Sequence, residues 1–413
     1  MAVDMTYLIA GAGLAGAKAA QTLREEGFQG RIVLVGEESE RPYERPPLSK
    51  GYLLGRTERE EIYVHPQPWY GEHDVDLLLD TAVTGIDPAE HEVRLSDGSR
   101  IGYTKLLLAT GSSPRQLPIP GADLDGVLYL RRVEDSDRLK AVFPTASRVA
   151  IIGGGWIGLE TAAAARAAGA EVTVLESAEL PLLRVLGREV AKVFAGLHRE
   201  HGVDLRCGVR VAEIVGRGGQ AVGVRLADGS QIDADAIIVG IGIIPNSGLA
   251  LSAGLRVDNG VQVTARLRTS DLDIYAAGDV ANAFHRLLGK HIRVEHWANA
   301  LHQPQVAAKA MLGEDVRYDR LPYFFTDQYD LGMEYSGYVE PDEYDEVIFR
   351  GDVQTRHFVA FWLRGGRVLA GMNVNIWDVN DAIQDLVRSG ERVDTSALGD
   401  PRTPLGSLVG ASP

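Results

Sequence analysis

Two stretches of this chain repeat one pattern, and the repeat restricts the possible folds more than any other feature. Residues 7–37 read YLIAGAGLAGAKAAQTLREEGFQGRIVLVGE, and residues 149–176 read VAIIGGGWIGLETAAAARAAGAEVTVLE. Each is a short apolar strand, a glycine-rich turn, an alanine-rich helix, a small connector with glycine, a β-branched strand and an acid. That order predicts a βαβ unit that binds a dinucleotide, present twice. Gly11, Gly13 and Gly16 form G-x-G-x-x-G in the first copy, and Gly153, Gly155 and Gly158 form it in the second. The first glycine allows a tight turn, the second lets a pyrophosphate approach the backbone, and the third lets the helix pack close to the strand. The helix N-terminus then points free N–H groups at the phosphates. Glu37 lies 21 residues after Gly16, and Glu176 lies 18 residues after Gly158. Each is placed to end the second strand of its unit, where an acid accepts hydrogen bonds from a ribose diol.

The rest of the chain fits around these anchors. Leu106-Leu107-Leu108-Ala109-Thr110-Gly111 and Ile237-Ile238-Val239-Gly240-Ile241-Gly242 are apolar runs that suit strands buried on both faces. Asp97-Gly98 and Asp228-Gly229 predict hairpin turns before them. Residues 298–312 predict a helix with Pro304 inside it, so a kink or a late start is expected. From Tyr323 on, aromatic and polar residues alternate, as in antiparallel strands, with Arg364-Gly365-Gly366-Arg367 as a hairpin turn. Tyr323-Phe324-Phe325 then belongs to the core of that sheet. A helix is expected over 379–390 and a loose tail over 396–413. The fold class is therefore α/β, with two nested Rossmann-like dinucleotide-binding domains and a C-terminal α+β domain. The expected boundaries are 1–112 and 241–320 for a first dinucleotide-binding domain in two parts, 113–240 for the second, and 321–413 for the C-terminal domain.

Composition excludes other classes of function. The net charge of −15 argues against nucleic acid or an anionic membrane as a partner. No apolar run is long enough to span a bilayer, and the N-terminus, from Met1 to Thr6, does not read as a secretion signal. The single cysteine, Cys207, permits neither an internal disulfide nor a redox-active pair, and a reducing cytoplasm fits. Cys207 reads as structural. His285, His291, His296 and His302 are close in sequence, but their spacings match no zinc pattern, so no metal is expected.

Several further motifs make the chain resemble, over its full length, the FAD-containing, NADH-dependent ferredoxin reductases of bacterial P450 and ring-hydroxylating oxygenase systems. These are Arg41-Pro42-Tyr43-Glu44-Arg45-Pro46-Pro47-Leu48-Ser49-Lys50, Leu108-Ala109-Thr110-Gly111, Gly242-Ile243-Ile244-Pro245-Asn246 and Tyr275-Ala276-Ala277-Gly278-Asp279. The apoptosis-inducing-factor branch of the same superfamily is also similar. Disulfide-reducing relatives carry one or two cysteines after the first βαβ unit, and this chain has none there. The resemblance implies FAD on the first module and NADH on the second. It implies that Ala15, Glu37, Lys50, Val83, Arg131, Asp279 and Trp297 line the FAD, that Ala109, Thr110, Gly111 and Gly278 belong to flavin-enclosing turns, and that Arg45 and Glu295 also bind cofactor. It further implies that Ile157, Glu160 and Gly242 contact a cofactor, beside the glycines and Glu176 of the second module, with Gly242 at the crossover back to the first. The helix after Trp297 would aim its N-terminus at the flavin.

Hydride transfer between two cofactors needs no nucleophile from the protein. Lys50 is expected nearest the flavin N5, with Glu160 as its ion-pair partner. Glu160, two residues after Gly158, is expected on the first helical turn with its side chain free to face the nicotinamide. Without a thiol relay, electrons leave directly for an outside acceptor. A ferredoxin-type iron–sulfur protein is the expected partner, with rubredoxin or a small acceptor as the alternative. An NADH-sensing protein of the apoptosis-inducing-factor type is the reading from another class. The expected assembly is a monomer or homodimer. Because ferredoxins are acidic, docking on this acidic chain calls for a local basic patch, for which Arg286, Lys290 and Arg293 are the candidates.

Overall fold

The computed structural model describes residues 5–410. Residues 1–4, on which most of the reading of the N-terminus falls, and 411–413, the last residues of the expected tail, lie outside the described residues. The chain divides into two compact units. One comprises Met1–Arg45, Glu58–Ser113 and Ile243–Pro322, the other Pro46–Thr57, Pro114–Gly242 and Tyr323–Pro413.

The first unit is built on a parallel five-stranded sheet in the order Ile274–Ala276, Lys105–Leu108, Thr6–Ala10, Arg31–Val35, Val75–Leu78. Leu8, Ile9, Ile32, Val33, Leu34, Leu106 and Leu107 are fully buried, which is why these strands are continuously apolar. Helix Leu14–Glu25 packs against helix Trp297–Met311. The alanines of both helices permit that approach, and the Tyr7 hydroxyl donates to the Met311 carbonyl at 2.9 Å. The second helix begins at Trp297 and contains Pro304, so of the kink or late start expected from the proline the late start does not occur. A small antiparallel sheet, Val83–Asp87, Glu92–Leu95 and Arg100–Gly102, carries the turn at Gly98.

The second unit repeats the order of four of the five strands, but its fifth strand precedes the βαβ unit instead of following it. Its parallel sheet runs Asp204–Cys207, Glu171–Glu176, Arg148–Ile152, Ala236–Val239, Val127–Leu128. The unit also holds a separate five-stranded antiparallel sheet that includes Tyr323–Gln328, His357–Arg364 and Arg367–Val374. Gly365 and Gly366 both have positive φ, as a two-residue hairpin turn with matching twist requires. One core joins helix Leu183–Glu200 to this sheet through Phe194, Phe358 and Trp362, whose Nε1 donates to the Leu186 carbonyl at 3.1 Å. Phe324 lies in the same core, stacked on Tyr335. The segment Pro46–Thr57, which the sequence reading leaves in the first domain, packs here because Leu53 enters this core and the Leu48 carbonyl accepts from Ser136 Oγ at 2.8 Å.

Helix Asn380–Ser389 ends at Gly390, which takes the left-handed conformation of a helix cap. Over its described residues the tail is not loose. It forms helix Thr395–Gly399 and the short turn of helix Leu405–Leu408. The Arg350 guanidinium donates to the carbonyls of Leu398, Asp400, Pro401 and Thr403, which one cation on a neighbouring strand can do and a local pattern cannot announce. Among the described residues no helix is long and apolar enough to cross a membrane, and no group of His, Cys, Asp and Glu is arranged to hold a metal.

Candidate functional site

The two glycine turns have the same geometry. Gly11 and Gly153 adopt φ of +118° and +108°, where side chains are strained. A Cβ on Gly16 would sit 2.0 Å from the Gly11 carbonyl oxygen, and one on Gly158 would sit 2.1 Å from that of Gly153. The third glycine of each turn is thus required for close passage of helix over strand. The middle glycines differ. A Cβ on Gly13 would meet nothing within 4 Å, and one on Gly155 only the Gly240 carbonyl at 3.9 Å. Each middle glycine therefore borders open space at the start of a helix that has neither a side-chain cap nor an acid in its first turn. Free N–H groups facing an open cradle are what a pyrophosphate fits. Gly16→Ala is expected to strip FAD from the purified protein and to lower its thermal midpoint, since the backbone must shift at a cost of about 1–3 kcal/mol. Absorbance near the flavin bands after gel filtration, with a melting curve, checks this.

In the first unit Ala109, Gly278 and Ala15 lie against the first turn. Ala109 donates its N–H to the Ala10 carbonyl, and its own carbonyl is the atom that a Cβ on Gly11 would strike. Gly278, at φ +79°, comes so close that a Cβ there would contact Ala15 at 3.2 Å. Gln303 holds its N–H at 2.9 Å, and Ser112 Oγ donates to Asp279 at 2.8 Å. Thr110 and Asn246 exchange hydrogen bonds at 2.9 and 2.8 Å, and the Gly111 carbonyl accepts the Asn246 N–H. Arg45 donates to Glu38 and Tyr43. Val83 is half-buried against the core. Trp297 is the first residue of its helix. Glu37 lies exposed two residues beyond its strand, which ends at Val35, so it does not end the strand as expected.

In the second unit Glu176 does end its strand. Its carboxylate accepts the Gly154 N–H at 2.6 Å and the Ala178 N–H at 2.7 Å, so it ties the glycine turn to the following loop. Ile157 is exposed at the helix start, and Gly242, at φ +98°, accepts the Arg115 N–H. Arg131 belongs to this unit, with its N–H on Asp135. Cys207 packs against the core, and burial pushes its thiol up, away from reactivity.

Lys50 and Glu160 meet here. Lys50 Nζ lies 2.7 Å from Glu160 Oε1, and 5.6 Å from the centre of the Phe325 ring. Glu160 is not free, however. It lies in the second turn of helix Trp156–Ala167, is only 4% exposed, and accepts from Ser49 Oγ at 2.5 Å and Thr326 Oγ1 at 2.6 Å. A carboxylate removed from water keeps its donors or pays a large desolvation cost, so the three donors fix its orientation. Burial likewise pushes the Asp327 carboxyl up, an effect that Lys50 opposes and Glu160 reinforces. Ser49 and Thr326 escaped the sequence reading. Ser49 lies beside Lys50 in the diagnostic segment, whereas Thr326 had no local signal. Arg293 departs from expectation too: its side chain is only 8% exposed and pairs with Glu295, so it offers no docking charge. Arg286 is exposed in the turn between strands Ala281–His285 and Lys290–Arg293, beside exposed Leu287.

Residues 5–304 match the family model described as pyridine nucleotide-disulphide oxidoreductase, and residues 323–409 match reductase C-terminal. The chain is 42% identical over 409 residues to the 5,5'-dehydrodivanillate O-demethylase ferredoxin reductase subunit of Sphingobium sp., covering 98% of each chain. It is similar to the reductase in the crystal structure of the covalent putidaredoxin reductase–putidaredoxin complex, with a TM-score of 0.94, 37% identity and 99% of each chain covered. It is also similar to the ferredoxin reductase for the CYP199A2 system from Rhodopseudomonas palustris, with a TM-score of 0.94, 35% identity, and 98% of this chain and 100% of that one covered. With two dinucleotide cradles, a reductase C-terminal sheet and these relatives, the chain belongs to the pyridine nucleotide-disulphide oxidoreductase family.

Proposed function

We propose that this protein is a ferredoxin reductase that takes hydride from NADH onto FAD and delivers electrons singly to a ferredoxin serving a cytochrome P450 or oxygenase. FAD, when bound, supplies the conversion from two-electron to one-electron chemistry. Around the first glycine turn, Gly11, Gly13, Ala15, Gly16, Gly278 and Asp279 would hold it, with Glu37 at its ribose. Gly153, Gly155, Gly158 and Glu176 would hold NADH. Lys50 and Glu160 orient the nicotinamide side of the reaction. The observation that carries the reading is a pair of βαβ glycine turns open at their middle glycine, in a chain whose sole cysteine is packed against a core, so no dithiol takes electrons onward. The test is steady-state reduction of a panel of ferredoxins and rubredoxins by NADH and the purified yellow protein. Turnover with a ferredoxin is expected, whereas turnover with none of the panel sinks the proposal.

Docking is expected to use Arg286, with Lys290 beside it on the next strand. Arg286→Glu should raise the KM for ferredoxin about threefold and flatten its salt dependence, because complementary charge acts mainly on the encounter. Reduction of ferricyanide should be unchanged. Unaltered ferredoxin kinetics would place the patch elsewhere.

A further inference from the structure

The Lys50–Glu160 pair stands at the end of a buried chain of polar side chains that the proposed reaction does not use. Thr326 Oγ1 donates to Glu160 Oε1 at 2.6 Å. Gln328 Nε2 donates to Thr326 Oγ1 at 3.2 Å. His198 Nε2 lies 2.8 Å from Gln328 Oε1, and the Tyr329 hydroxyl lies 3.3 Å from His198 Nδ1. Thr326, Gln328 and His198 are at most 1% exposed. Each bond constrains the next. Because the Gln328 amide donates from Nε2, its oxygen must accept, so His198 carries its proton on Nε2. Nδ1 is then the acceptor for the Tyr329 hydroxyl. Burial also pushes the His198 imidazole down to about 4, which keeps it neutral. Every donor in the series therefore points the same way, from Tyr329 through His198, Gln328 and Thr326 to the Glu160 carboxylate. Bonds aligned in this way polarise and strengthen one another.

We propose that His198, on helix Leu183–Glu200, is a positioning residue that holds the Glu160 carboxylate toward Lys50 through Gln328 and Thr326. A core histidine that merely fills space would need no such alignment, and three fully buried polar side chains in one line are costly unless satisfied. The chain links a helix and a strand far apart in sequence, so the angle at which Glu160 meets Lys50 depends on how that helix is seated against the C-terminal sheet.

The proposal rests on the reading that Lys50 and Glu160 serve the reduction step, and its test separates the two. In flavin-loaded protein with 15N-histidine, the resonance absent from His198→Gln identifies His198. It should report a neutral ring protonated on Nε2 at neutral pH. A ring protonated on Nδ1, or an imidazolium, overturns the proposal whatever the enzyme's rate. In stopped-flow reduction by NADH, His198→Phe should be slowed about fivefold with FAD retained, while His198→Gln, whose amide can still donate to Gln328, should stay within about twofold of the parent. Equal slowing of both variants would show a packing effect and overturn it. So would an unslowed His198→Phe beside a slowed Lys50→Met. If Lys50→Met is itself unslowed, the reading of the pair falls and the proposal falls with it. Should His198→Phe not fold, Thr326→Val breaks the same chain beside Glu160. It should be slowed at least fivefold, and a parental rate again overturns the proposal.

Discussion

Lys50→Met is expected to slow flavin reduction by NADH about ten- to a hundredfold while FAD stays bound, and Glu160→Ala is expected to do the same. The pair is buried enough that neither charge can turn to water for a replacement partner: side-chain exposure is 17% for Lys50 and 4% for Glu160. Lys50→Met leaves a buried carboxylate with only the Ser49 and Thr326 hydroxyls as donors, so stability should fall by about 2 kcal/mol. Adding Glu160→Gln removes the uncompensated charge. The double variant should therefore regain much of the lost stability and none of the lost rate. Stopped-flow absorbance of the flavin, with thermal midpoints of all three proteins, measures both quantities. Parental reduction rates in Lys50→Met and Glu160→Ala would dismiss the role of the pair.

Coenzyme choice is the second large effect. NADH should be preferred over NADPH by a factor of at least about ten in kcat/KM, equivalent to about 1.4 kcal/mol, because a carboxylate at Glu176 repels a 2′-phosphate and suits a ribose hydroxyl. Ser177-Ala178-Glu179 supplies no arginine to rescue NADPH. Glu176→Arg should narrow the gap, but the structure adds a cost that the sequence did not show. The carboxylate also holds the Gly154 and Ala178 N–H groups, and arginine cannot accept from either. The variant should therefore lose NADH efficiency by more than it gains with NADPH. Comparable kcat/KM for the two coenzymes in the parent protein would refute the assignment.

Both glycine turns were legible in local spacing. The glycines of both turns, the acids after them and the Asp-Gly hairpins are short-range patterns, because a turn or a helix start is decided by neighbours in the chain. The Arg41–Lys50 segment was legible only as a resemblance, and its lysine does meet Glu160. The readings that failed share a cause. Arg293 read as a docking charge because its burial is a tertiary fact, although its partner Glu295 is only two residues away. The tail read as loose because its capping cation, Arg350, sits on a strand about fifty residues earlier.

By itself the sequence determined the two βαβ units, their glycine turns, the acid that ends the second strand of the second unit and the presence of a single cysteine. Each follows from covalent spacing and residue chemistry, which no later packing can alter. The tertiary structure alone decided that Glu160 is buried beneath three donors, that Pro46–Thr57 packs with the second unit, and that Thr326, Gln328 and His198 form one line. Thr326 lies 166 residues from Glu160, and His198 lies 130 from Gln328. Hydrogen bonds over such separations arise only once hydrophobic packing has set helix against sheet, and no pattern in a window of sequence carries that information.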